Sequence, residues 1–198
     1  MTQPTLEQFL NDVKNHELTI HQNDGVDRHL IFKNPNDCNQ HFNITTFPNY
    51  LVITGDMGSL VFSRQYDMFD FFRSDDLKIN PDYWSERIHS TSYQGKIESY
   101  SEFDIDEVKR CAQEDLDDFI RDNELSGEDE YNLLEELQSI LRAEDEYEIV
   151  EAIRNFDCNG FDFVDFWERD YRKYRYHYIW LCYTIVWGIK KFDDATSE

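Results

Sequence analysis

The sequence predicts an α+β protein: an N-terminal antiparallel β-meander with covering helices, followed by an acidic helical C-terminal half around a buried apolar helix. Three observations carry this. Between Leu18 and Ser63, short runs rich in apolar and β-branched residues are separated only by turn-forming clusters, links too short for parallel crossovers. From Glu102 to Glu151, apolar residues recur at three- and four-residue steps within a stretch holding twenty Asp or Glu against four Lys or Arg. From Tyr176 to Ile189 the run YHYIWLCYTIVWGI is apolar nearly all round. The expected division is 1–101 for an α+β subdomain and 102–198 for an acidic helical subdomain packed on it, within one domain or two.

Taken in order, Thr5 opens a helix through about His16, with Leu6, Phe9, Leu10 and Val13 on one side. Five strands follow at 18–21, 29–33, 41–46, 50–54 and 59–63. They are linked by Asn23-Asp24-Gly25, Asn34-Pro35-Asn36-Asp37 and Gly55-Asp56-Met57-Gly58. Residues 67–73 form a short helix with Met68, Phe69, Phe71 and Phe72 inward, and Pro81 starts another through His89. Residues 96–100 return as a strand on the sheet edge. The apolar run near the C-terminus is about fourteen residues long, short of the roughly 20 needed to cross a bilayer. It is expected to be a central post against which both the sheet and the acidic helices pack. Residues 193–198 read as a frayed tail.

The acid is local. The Glu102–Glu151 stretch carries a net −16 of the chain's −23, residues 1–101 carry −6 and residues 152–198 carry −1. The stretch is not a disordered tail, because its apolar residues form helical stripes. Ile105, Val108, Ala112, Leu116 and Phe119 line one face of a helix over about 104–123. Ser126 with Asp129 signals a second helix, striped by Leu133, Leu134, Leu137, Ile140 and Leu141. A third places Ile149, Val150, Ile153 and Phe156 inward. Carboxylates left on the outer faces repel one another, at roughly 0.2–0.5 kcal/mol per like-charged i,i+4 pair. Solubility alone is served by a net charge of about 2–8 on a small domain; the excess suits either a rigid anionic surface that occupies a site built for nucleic acid, or a solvated acidic face such as adaptation to high salt.

Composition sets further bounds. With 40% apolar and 16% aromatic residues, the chain can bury a core. Cys38, Cys111, Cys158 and Cys182 lie far apart, which suits reduced thiols and not a zinc ribbon. With no charged-then-apolar leader and no long apolar run, a cytoplasmic location is expected.

Several local patterns approach known chemistry and then depart from it. Over 157–168, Asp157, Asn159, Val164, Asp165 and Glu168 match an EF-hand calcium loop. Phe161 stands where an oxygen ligand belongs, however, and Asp162 stands where the turn needs glycine. Thr54-Gly55-Asp56-Met57-Gly58-Ser59 lacks the Lys-Ser or Lys-Thr pair of a phosphate loop and reads as a hairpin turn. His21, His29 and His41 lie on strands that could converge for zinc, without a paired-ligand spacing. The basic, tyrosine-interleaved cluster Arg169–Tyr176 is expected to pair with the acidic helices rather than with nucleic acid. No catalytic residue, cofactor site or metal site is assigned.

Two blocks carry a resemblance: FPNYLVITGDMGSLVFSR (47–64) with MFDFFR (68–73), and YIWLCYTIVWGI (178–189). Together they resemble a family of uncharacterised proteins encoded by phages and prophages of Gram-negative bacteria, over about a quarter of the chain. Small acidic phage proteins include anti-CRISPR and anti-restriction inhibitors that imitate DNA. The expected function is therefore a non-enzymatic anti-defence inhibitor that binds a host nucleic-acid-binding complex, a CRISPR effector or a restriction enzyme, by acidic mimicry of DNA, without itself binding nucleic acid or membrane. Glu107, Glu114, Asp117, Asp118, Asp122, Glu128, Asp129, Glu130, Glu135, Glu136, Glu144, Asp145, Glu146 and Glu148 are the expected partner-binding residues. The alternative is a phage accessory or assembly protein that binds through aromatics such as Tyr83 and Trp84, with the acid serving solubility.

Overall fold

The computed structural model describes residues 3–197. Helix α1 (Leu6–Asp12) opens with a capping box in which the Thr5 hydroxyl accepts from the Gln8 amide and the Gln8 side chain accepts from the Thr5 amide. It ends earlier than His16, whose Nε2 donates to the Gln40 carbonyl at 2.9 Å. Strands β1 (Glu17–Asp24), β2 (Asp27–Asn34), β3 (Asp37–Phe47), β4 (Tyr50–Gly55) and β5 (Gly58–Ser63) form the expected antiparallel meander. Along β2 to β5 buried and half-buried residues alternate, with Leu30, Phe32, Phe42, Ile44, Leu51, Ile53, Leu60 and Phe62 on the inner face.

Helices α2 (Met68–Phe72) and α3 (Pro81–Glu86) match expectation, but α3 stops before His89. The chain instead adds β6 (Ile88–Thr91) to the sheet, pairing Ile88 with Phe62. Residues 96–100 are then not a strand: Lys96–Tyr100 is helix α4. Its Ser99 hydroxyl bonds back to the Lys96 carbonyl at 2.6 Å, and the Lys96 ammonium holds the Glu86 carbonyl at 2.8 Å. The free sheet edge recruited the residues that could pair with it, overriding the local pattern.

The remaining elements are β7 (Ser101–Phe103), α5 (Ile105–Asp122), α6 (Glu128–Arg142), α7 (Glu146–Arg154), a 3-10 turn at Phe166–Glu168, β8 (Arg172–Tyr174) and α8 (Tyr176–Thr196). The expected tail is part of α8 as far as Thr196. Arg73 clamps Asp193 with two hydrogen bonds, at 2.8 and 3.2 Å.

Two compact units make up the chain: residues up to Glu102 together with those from Tyr174 onward, and Phe103–Lys173 between them. The expected boundary lies one residue from the observed one, but the expected second unit, 102–198, gives its last helix to the first. Helix α8 is buried along nearly its whole circumference because it has the sheet on one side and α1, α2 and α4 as further neighbours. Gly188 sets the closeness of that packing, since a Cβ there would lie 2.6 Å from the Ile44 side chain and 3.3 Å from the Phe32 ring. Phe9, Phe42, Trp180 and Trp187 complete an aromatic centre with edge-on ring contacts.

Contrary to expectation, the acidic helices do not share that core. Val108, Ala112, Leu116, Leu133, Leu137, Ile140, Ile149, Ile153, Phe156, Phe166 and Tyr171 are buried together in a core of their own. Helix α6 packs against both α5 and α7, and the phenylalanine-rich segment that follows them joins the same core.

Candidate partner-binding surface

The acidic unit is built so that its apolar stripes meet and its carboxylates do not. In α5, the Asp104 side chain caps the helix by accepting from the Glu107 amide, and Val108, Cys111, Ala112 and Leu116 turn inward. Helix α6 starts differently from expectation. Gly127, not Ser126, is its N-cap, with φ of 70° and no side-chain cap. The preceding Leu125 amide is held by the Ile120 carbonyl, and the chain reverses through a left-handed glycine. In α7, Asp145 caps by accepting from the Glu148 amide at 2.9 Å, and Glu148 in turn accepts from the Glu144 amide at 2.8 Å.

Of the fourteen expected partner-binding residues, Glu114, Asp117, Asp118, Asp122, Glu128, Asp129, Glu135, Glu136, Glu144, Asp145, Glu146 and Glu148 are exposed, and Glu107 and Glu130 are half-buried. They fall into two groups by what they touch. Glu107 and Glu114 grip Arg110 from either side, and Asp118 and Asp122 grip Arg121. Hydrogen bonds from Arg110 hold the Glu107 carboxyl below its usual range. Asp117 accepts from Gln113 at 2.8 Å, and Asp145 and Glu148 are tied up in the cap. Glu128, Asp129, Glu130, Glu135, Glu136, Glu144 and Glu146 have no Lys or Arg within 4 Å among the described residues. Asp129 and Glu136 also act with Asp157 on Cys158, whose thiol is raised by burial first and by these three charges next.

The basic cluster is drawn to carboxylates of its own chain. Arg169 bonds Asp115 of α5 at 2.8 Å and lies over the Phe166 ring, and Lys173 bonds the capping Asp104 at 3.0 Å. Arg175 pairs with Glu102 at 3.3 Å.

The 157–168 segment takes another path from a calcium loop. Cys158 and Phe161 exchange backbone hydrogen bonds around Asn159 and Gly160, both at positive φ, which makes a two-residue hairpin turn. Phe161 and Phe163 then pack into the acidic unit's core, where a metal loop would present oxygens. Beyond them, Phe166–Glu168 make only a short 3-10 turn. Gly55–Gly58 is the hairpin turn that the sequence predicts, and Asp56 there accepts from His41 at 2.9 Å. His21 and His29 are ring neighbours at 5.3 Å, while His41 sits with Asp56 and the Cys38 carbonyl. Among the described residues, no group of three or more His, Cys, Asp or Glu side chains is placed to hold a metal ion.

The aromatics of the alternative reading fare differently. Trp84 is buried against Phe72 at 4.9 Å and cannot meet a partner, and Tyr83 is half-buried under Arg87. A helical sequence of YW after Pro81 could not reveal that Trp84 falls on the core side. Among the described residues the exposed aromatics are Phe47, Tyr66, Tyr131, Tyr147 and Trp167, the three tyrosines most of all. Among the described residues no helix is long and apolar enough to cross a membrane. Comparison with protein-family models, curated proteins and solved structures returns no match.

Proposed function

We propose that Phe103–Lys173 is a protein-binding module that occupies the nucleic-acid-binding groove of a basic partner, and that the chain acts without catalysis as an inhibitor of that partner. The observation that carries the reading is the set of seven exposed or half-exposed carboxylates on α6 and around α7 that have no cation of their own. Self-repulsion among them opposes folding, yet the unit holds them on helices packed over a separate core. Carboxylates on adjacent turns stand about 5–6 Å apart, comparable in sign and density with a duplex that presents one charge per roughly 1.7 Å of axis. The resemblance to phage-encoded proteins directs the search for a target to host defence complexes, a CRISPR effector or a restriction enzyme.

The test is a pull-down from host lysate at low salt with the wild-type chain and with a variant in which Glu128, Asp129, Glu135, Glu136, Glu144 and Glu146 become Gln or Asn. A nucleic-acid-handling complex that is released at moderate salt, is displaced by added duplex and is lost with the variant supports decoy binding. A partner retained by the variant at high salt refutes it. That outcome would favour the second reading, binding through exposed apolar side chains, for which Tyr131, Tyr147 and Val164 are the candidates.

A further inference from the structure

Helix α7 carries two apolar stripes, and the core uses only one. Ile149 and Ile153 point inward and are buried. Tyr147 and Val150 lie on the other side, Tyr147 with 76% of its surface exposed and Val150 half-buried. With Glu146, Glu151 and Arg154 they line a shallow groove of about 430 Å³. Arg154 leans on Glu151 at 3.5 Å, and the N-terminal end of the groove is flanked by the exposed Glu144, Asp145 and Glu148. Tyr147 and Val150 stand at i and i+3, with the Arg154 side chain at i+7 on the same face, the spacing with which one helix meets another. Imitation of phosphate charge alone gives no role to an exposed tyrosine and a half-buried valine at these positions. A second copy of this chain is disfavoured as occupant, because it would set the same carboxylates against these.

We propose that this groove is the anchor point for a basic amphipathic helix of the partner, an apolar side chain seating between Tyr147 and Val150 while Lys or Arg on flanking turns meet Glu146, Glu151 and the carboxylates before them. The proposal rests on the decoy reading for the sign of the partner's charge and adds to it the occupant of one site. Long-range charge then governs how fast the partner arrives, and the apolar anchor governs how long it stays.

Two labelled synthetic helical peptides of about 18 residues test this, equal in Lys number and differing only in carrying Leu or Ala along one i, i+3, i+4, i+7 stripe. Association and dissociation are measured on the full-length chain. The Leu peptide is expected to bind about tenfold more tightly than the Ala peptide, through slower dissociation. Tyr147→Ala with Val150→Ser brings dissociation of the Leu peptide up to that of the Ala peptide, while Glu146→Gln with Glu151→Gln slows association of both. The substituted side chains point away from the core, and an unchanged thermal melt verifies that the variants fold. Equal binding of the two peptides to wild type, or a Leu preference that survives Tyr147→Ala with Val150→Ser, overturns the anchor and leaves the decoy reading standing. If neither peptide binds at low salt, the decoy reading fails together with the anchor.

Discussion

Replacing Asp67 by Asn tests how the sheet unit is locked. Asp67 accepts two hydrogen bonds from Arg28, at 2.9 and 2.8 Å, and also caps α2 by accepting from the Phe69 amide at 2.9 Å. The Arg28 side chain is only 10% exposed and lies over the Phe69 ring, 4.4 Å from its centroid. Asn preserves the cap, because it serves about as well as Asp at that position, so the substitution isolates the charge. What remains is a buried guanidinium facing a neutral amide. Breaking a buried pair from one side costs about 3–5 kcal/mol, and the partial exposure of Asp67 argues for the lower end. A loss of about 3 kcal/mol corresponds to a fall in Tm of roughly 6–12 °C for a chain of this size. Urea unfolding followed by circular dichroism measures it. The double variant Arg28→Met, Asp67→Asn should recover a large part of the loss, since no charge is then stranded. A cost under about 1 kcal/mol for Asp67→Asn, or a double variant as unstable as the single, would falsify the account of the pair as a mutually dependent buried unit. The pH dependence supplies a second check. Burial raises the Asp67 carboxyl, but hydrogen bonds from Arg28 and the Phe69 amide outweigh it, and the pKa lies below its ordinary value. A lowered carboxyl contributes stability above its unfolded pKa of about 3.9, and that contribution disappears as pH falls through the folded value. The gap between wild type and Asp67→Asn should therefore be constant at neutral pH and close under acid.

Other perturbations separate the two units. Raising NaCl from about 0.05 to 0.5 M shortens the Debye length to a few ångströms, so helical signal from the acidic unit should melt later in high salt; an unchanged or lower melting point would contradict unrelieved repulsion among its carboxylates. Gly188→Ala gains up to about 1 kcal/mol of helix propensity but pushes a methyl against Ile44 and Phe32, where overpacking costs about 1–3 kcal/mol; a net loss in chemical denaturation is expected, and Gly188→Leu should fail to fold. Burial of Tyr171 pushes its hydroxyl up to about 12, so the folded state keeps it neutral where the unfolded chain ionises; stability should fall as pH rises from about 10 towards 12, and Tyr171→Phe should flatten that slope. Cys38 is exposed, whereas burial raises the thiols of Cys111, Cys158 and Cys182; a thiol reagent on the native protein should titrate Cys38 rapidly, and Cys182 only after denaturation.

Much of this architecture follows from the sequence alone, for a physical reason. A strand of β2 to β5 declares itself by alternation, because one face of the sheet is buried and the other is not, and the turn residues between strands fix antiparallel pairing. A helix such as α5 declares itself by the spacing of Val108, Ala112 and Leu116, and the same spacing tells which acids, such as Asp117 and Asp118, stay outside. The concentration of carboxylates over 102–151 is likewise a property of composition that folding does not alter. Partnership between distant elements is not encoded in local periodicity. Nothing in the 88–91 or 96–100 segments says that β5 has a free edge and that Ile88 reaches it first. Helix α8 is apolar all round and would satisfy either core; the sheet takes it because Gly188 permits close approach to Phe32 and Ile44, and the acidic helices bury their stripes on one another. The same holds for the outer side of α7. Sequence periodicity put Val150 inward with Ile149 and Ile153, since one helix supplies more apolar residues than a single stripe needs. Only the packing of α7 on α6 decides which of them the core has room for, and therefore that Tyr147 and Val150 are left at the surface.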